Sequence, residues 1–175
     1  MSNAEGTEAD AKSPEVDKPL DPVPPQRSGR NSLLSGRNDR PLDGREIRGV
    51  ANTFAGLDYS VPFRFDDSSP SSFRIELDEY GEHVGIVVYG PDIYPGTSIV
   101  DPNSALGMQA AVAHEISHYH RWRDRTELPE LEVEHLDEAL TSLEAAIRFN
   151  QLNPHEVRQL ILDAIQRIQM FYRER

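Results

Sequence analysis

The stretch AVAHEISHYHRW, Ala111 to Trp122, places two histidines four residues apart with a glutamate directly after the first. On a helix, side chains at this spacing lie on one face about one turn apart. His114 and His118 can then direct both imidazoles at a single tetrahedral zinc ion. Glu115 sits beside the first ligand, where it reaches a water polarised by the metal rather than the metal itself, and so reads as a general base. The chain has no cysteine, so any metal it holds must use nitrogen and oxygen ligands. The chemistry in view is metal-assisted hydrolysis.

Two histidines do not complete a catalytic zinc site, and a third protein ligand is required. Four residues are candidates. Asp124 lies six positions after His118, but a ligand there normally needs a glycine to break the helix midway, and Arg121 stands in that place. His135 is chemically suitable at a spacing that matches no evident arrangement. Glu138 and Glu144 lie in HLDEALTSLEAA, which the short connection TELPE would fold back antiparallel beside the first helix. Glu138, with the small Ala139 and Thr141 beside it to permit close packing, leads, and Glu144 is the reserve. His120, about 200° around the helix from His118, reads as a solvated or capping histidine. Arg121, Arg123 and Arg125 read as a solvated helix end complementing the dipole, and Trp122 as a core or interface anchor.

The elements that must position these residues are legible in outline. Asp43 followed by Glu46 forms a capping box, and Ile47, Val50, Ala51 and Phe54 follow helical spacing. DDSSPSS is a loop. SFRIELDEY alternates, with Phe73, Ile75 and Leu77 on one face, as expected of a half-buried strand. HVGIVVYG, His83 to Gly90, predicts a more deeply buried second strand. Were it an edge strand, it could take up a substrate backbone as an added strand. A short strand is expected at Thr97 to Val100. Ser104 is placed to cap the helix that carries the two histidines to about Asp124. A second helix fits Leu131 to Phe149, with Leu136, Leu140, Leu143, Ala146 and Ile147 as its apolar stripe. The third opens on Asn153, Pro154 and Glu156 and carries Val157, Leu160, Ile161, Ala164, Ile168 and Phe171.

HExxH followed by a glutamate on the next helix resembles the gluzincin metallopeptidases, and the His118 to Glu138 interval is similar to that of the thermolysin-like group. The strand pair before the active helix and the LDEALTSLEAA segment look more like compact gluzincins of the ImmA/IrrE type. The resemblance covers about Phe73 to Phe149. It implies a zincin-like core, zinc bound by His114, His118 and Glu138, and Glu115 as general base in peptide-bond hydrolysis. A second metal pattern is also present, because Glu115/His118 and Glu132/His135 are two Glu-x-x-His pairs of the kind found in di-iron bundles.

The remaining features set limits. Residues 1–41 are rich in Pro, Ser and charge, with Leu33 and Leu34 nearly alone as large apolar residues. They read as a disordered acidic, Pro-rich tail before a domain at 42–175. Eighteen basic against thirty acidic residues give a net charge of −12, which disfavours a nucleic-acid partner. The N-terminus lacks the basic start and apolar run of a secretory signal, and no apolar stretch approaches about 20 residues, so a cytoplasmic protein without a membrane partner is expected. The expectation is therefore an α+β, zincin-like domain. Its small sheet packs on the HExxH helix, two further helices follow, and it acts on a peptide or protein substrate with Zn2+. The alternative is a binding or regulatory protein on the same fold, with structural zinc or none.

Overall fold

The computed structural model describes residues 37–96, 106–128 and 133–175. Among them the architecture is mixed α+β: helix α1 (Gly44–Asp58), strands β1 (Phe63–Phe65), β2 (Ser72–Leu77) and β3 (His83–Tyr89), then helices α2 (Met108–Asp124), α3 (Glu134–Arg148) and α4 (Pro154–Arg173). The expected strand at 97–100 and the first residues of the second helix lie outside the described residues, and α2 starts at Met108 with Gly107, not Ser104, as its N-cap.

Both capping boxes form as the sequence requires. Asp43 accepts from the amides of Arg45 and Glu46, and Glu46 returns a bond to the Asp43 amide. Asn153 and Glu156 do the same at the start of α4, with Pro154 in the first turn. These reciprocal bonds satisfy amides that the first turn of a helix cannot pair internally.

The sheet has the order β1-β3-β2. β2 runs antiparallel to β3 with Phe73 opposite Val87 and Ile75 opposite Gly85. β1, too short for its alternation to register in the sequence, pairs parallel to β3 with Phe63 opposite Val87. β3 is thus flanked on both sides, which corrects the idea that it could be an edge open to a substrate backbone. Val87, Val88 and Tyr89 are buried, and Phe54 of α1 stacks on Phe63 at 4.6 Å and meets Tyr89 at 5.5 Å. Removing such side chains from water stabilises the fold by about 1.5–3 kcal/mol each.

The sheet packs on α2 through an aromatic contact. Trp122 lies over Gly85, and the rings of Phe73 and Tyr119 close around it at 5.6 and 5.9 Å. A Cβ at Gly85 would come within 2.7 Å of Trp122 and 2.8 Å of Phe73, so this contact requires glycine. Ile75 and Leu77 are 46% and 64% exposed, so only Phe73 of the expected strand face is covered.

α3 overturns a sequence reading. Its buried residues are Asp137, Ala139, Thr141, Ser142 and Ala145, whereas no residue of the apolar stripe is buried: Leu136, Leu143 and Ala146 are half-buried, Leu140 is partly and Ile147 almost fully exposed. Periodicity located the helix and mistook its inner face, because what lies inside is a polar cluster rather than oil. α4 follows expectation more closely: Leu160, Ala164 and Phe171 are buried, and Ile161 of the stripe is exposed. Packed structure also starts ahead of the expected boundary at 42, since Arg37 is buried and donates to the carbonyls of Asp92, Ile93 and Leu106.

Candidate metal centre

α2 is the central helix, touching α1, the sheet, α3 and α4. The small residues Ala110, Ala111, Ala113 and Ser117 on α2 and Ala139, Thr141, Ser142 and Ala145 on α3 let the helices approach closely. His114 and His118 lie buried at this contact, and Glu138 reaches them from α3. The three residues offer ligand atoms that all lie within 4.8 Å of one another.

The contacts are closer than that limit. His114 Nε2 and His118 Nε2 are 3.1 Å apart. Glu138 Oε2 is 3.2 Å from His114 Nε2, and Glu138 Oε1 is 3.4 Å from His118 Nε2. Zinc–ligand bonds of about 2.0–2.1 Å in a tetrahedron place ligand atoms about 3.3 Å from one another. The donor set and its spacing therefore fit a divalent cation such as zinc.

The partners of the other ring nitrogens sharpen this. Ser142 Oγ donates to the Asp163 carboxylate at 2.6 Å, so it must accept from His114 Nδ1 at 2.8 Å. Thr141 Oγ1 donates to the Asp137 carbonyl at 2.9 Å and so accepts from His118 Nδ1, at a longer 3.5 Å. In the neutral imidazoles both protons sit on Nδ1, and the two Nε2 lone pairs face each other. Two acceptors at 3.1 Å repel unless a proton or a cation comes between them. Serine and threonine thus fix the tautomer that a metal requires.

Burial alone would push the Glu138 carboxyl up, but charged His118, Arg167 and the hydrogen bonds that the histidine Nε2 atoms donate when the rings are protonated hold it well below the usual carboxylate range. For His118, burial acts downward and is outweighed by Glu138, with Glu115 and Asp137 adding to it, so the imidazole is raised. Glu115 is half-buried, and no residue among those described donates a hydrogen bond to it. Burial raises its carboxyl, the neighbouring Glu138 and Asp92 add to this, and the two histidines oppose it. A carboxylate shifted upward, with no donor among the described residues, suits a general base.

The other candidates are occupied elsewhere. α2 continues unbroken through Arg121 and ends only where Arg125 takes a left-handed conformation (φ 55°). Asp124 therefore points to the surface, where it pairs with Arg123 and Arg148. Glu144 pairs with Arg148 at 2.6 Å. His135 meets Glu174 at 3.1 Å, outside the cluster, and Glu132 lies outside the described residues.

Two further readings are corrected. His120 is buried, 3.0 Å from Asp58 and against Phe149, because α1 covers the face of α2 opposite the metal ligands. Arg121 is also buried. Its guanidinium lies 2.5 Å from Asp137, whose carboxylate in turn accepts the Leu128 amide at 2.8 Å. This pair fastens the start of α3 to α2, one residue before Glu138.

Sequence reasoning missed the residues behind the ligands: Thr141, Ser142, Asp163 and Arg167. The available signal was the placement of Asp163 and Arg167, an i,i+4 pair, among the apolar positions of α4. Comparison with family models, curated proteins and solved structures finds no match to this chain.

Proposed function

We propose that this protein is a small zinc-dependent peptidase of the gluzincin type, with His114, His118 and Glu138 as metal ligands and Glu115 as general base. The observation that carries the reading is the pair of Nε2 lone pairs held face to face with the Glu138 carboxylate closing the triangle. Two histidines of HExxH joined by a glutamate from the following helix is also the arrangement the gluzincin resemblance implies. His135 lies apart from the cluster, which favours one metal over a di-iron pair.

Zinc, when bound, supplies Lewis acidity toward water and the scissile carbonyl. Glu115 takes the proton of the attacking water and passes it to the leaving amine. Thr141 and Ser142 keep the imidazoles oriented, and the buried flank of α2 and α3 keeps bulk water from the ligand side. The substrate would be a peptide or protein. Among the described residues no helix is long and apolar enough to cross a membrane, in keeping with the cytoplasmic setting we favour.

One observation favours the alternative, a binding or regulatory protein on this fold without turnover. Arg167 lies 3.0 Å from Glu138 Oε2 and so balances that charge with no metal bound. The two readings separate in one experiment. Zinc-loaded wild type and Glu115→Gln are incubated with a mixed peptide library and the products read by mass spectrometry. The peptidase reading expects cleavage that falls by about 10²–10⁴-fold in the variant, with zinc content unchanged. Equal cleavage by both forms would remove Glu115 from the chemistry. No cleavage by either, with zinc bound, would favour the regulatory reading.

A further inference from the structure

Behind the metal ligands lies a charged layer supplied by α4. Asp163 and Arg167 are 5% and 6% exposed, and Arg167 Nε donates to Asp163 Oδ2 at 2.8 Å. On a surface such an i,i+4 pair would be ordinary. Buried, it is usually no more stabilising than apolar side chains of the same volume. Its position within the apolar face of α4 therefore calls for another role.

Both members reach the ligands. Arg167 Nη1 lies 3.0 Å from Glu138 Oε2. Asp163 Oδ2 accepts from Ser142 Oγ, which in turn accepts from His114 Nδ1. One helix that contributes no ligand thus holds a ligand on α2 and another on α3. We propose that Arg167 and Asp163 are the positioning residues of the metal centre. Arg167 engages Oε2 so that Glu138 offers Oε1 as its free oxygen, and Asp163 fixes the tautomer of His114 through Ser142.

The charges agree with this assignment. Glu115, Glu138 and Asp163 carry three formal negative charges and Arg167 one positive, leaving two to be balanced by a divalent cation. Without Asp163, Arg167 would compete with the metal for the same carboxylate. With it, the guanidinium orients Glu138 while the site keeps its attraction for the ion. Limiting Glu138 to one oxygen also preserves an open coordination position, which distinguishes a catalytic zinc site from a closed structural one.

This inference rests on the metal-binding reading above, and the test separates the two. Wild type, R167M, R167K and D163N are compared by far-UV circular dichroism, by zinc affinity in competition with a chromogenic chelator, and by the visible spectrum of the Co2+-loaded proteins. Wild type should bind Co2+ with the intense absorption of low coordination number. In R167M both Glu138 oxygens become available, so coordination rises and that absorption falls by about half or more. R167K, which keeps the charge but can reach only one of the two carboxylates, should be intermediate. D163N should weaken zinc binding by about 10–100-fold, the usual cost of losing a partner behind a ligand. A wild type that takes up neither ion overturns the metal reading and this inference with it. A wild type that binds both, with variants of unchanged spectrum and affinity, overturns this inference alone. Should R167M lack a native dichroism spectrum, R167K and D163N decide by the same two readouts.

Discussion

Replacing Arg121 by methionine tests whether the buried link between α2 and α3 carries the fold. Its guanidinium donates to the Asp137 carboxylate at 2.5 Å and the Thr126 carbonyl at 2.8 Å, with Glu144 a further ion-pair partner at 3.9 Å, and its side chain is only 5% exposed. Methionine fills most of the volume but leaves Asp137 buried, with the Leu128 amide as its remaining donor. Breaking a buried pair on one side costs about 3–5 kcal/mol, because the surviving charge has no counter-charge. A urea m-value of about 2 kcal/mol/M, ordinary for a domain of this size, converts this to a midpoint lowered by about 1.5–2.5 M.

The control is Arg123→Ala, two residues away on the same helix. Arg123 is exposed and pairs with Asp124 at the surface, so its loss should stay within about 0.5 kcal/mol. R121M/D137L should recover part of the loss by removing the stranded carboxylate. It should not recover all, since the Leu128 amide would then lack its acceptor, at about 1–3 kcal/mol. Urea melts followed by circular dichroism on chelator-treated protein measure folding without a contribution from bound metal. The argument fails if R121M and Arg123→Ala shift the midpoint equally, for then the buried pair contributes no more than a surface one.

Two other expectations follow from the structure. Gly85→Ala places a methyl group 2.7 Å from Trp122 and 2.8 Å from Phe73. It should destabilise the protein by about 1–3 kcal/mol and shift Trp122 fluorescence toward that of a more exposed indole, and an unchanged spectrum and melting point would refute the sheet–helix contact. Metal-free and zinc-loaded protein should also differ in their response to pH. The raised His118 value means that its charged form stabilises the metal-free fold; this contribution is fully present below the ordinary value of about 6.5 and is lost as pH rises through the raised value. Zinc needs the neutral ring, so zinc-linked stabilisation should grow over that same rise and fall in acid. Thermal melts between about pH 5 and 9 with and without zinc check this, and parallel curves would exclude His118 as a ligand.

The caps of α1 and α4, the two strands of the hairpin and the HExxH face were determined by local sequence, because each depends on residues within four positions of one another. Asp43 with Glu46 and Asn153 with Glu156 close their boxes wherever the helices are later placed, and His114 and His118 share a face because of helical pitch alone. Spacing also brought Glu138 to the fore, but it could not tell that residue from Glu144 or Asp124. Only packing separates them: Glu138 turns inward to the histidines, while the other two find arginines. The same limit explains α3. An apolar stripe indicates the buried face when the interior is apolar, and here the interior at α3 is a polar cluster, so the stripe ends up half-buried to exposed beside it. His120, Arg121, Asp163 and Arg167 look like surface residues in the sequence, yet each is buried against a partner from another element. Their burial depends on contacts across helices and on partners up to 62 positions away, as between Asp58 and His120. No local window of the sequence contains both sides of such a contact.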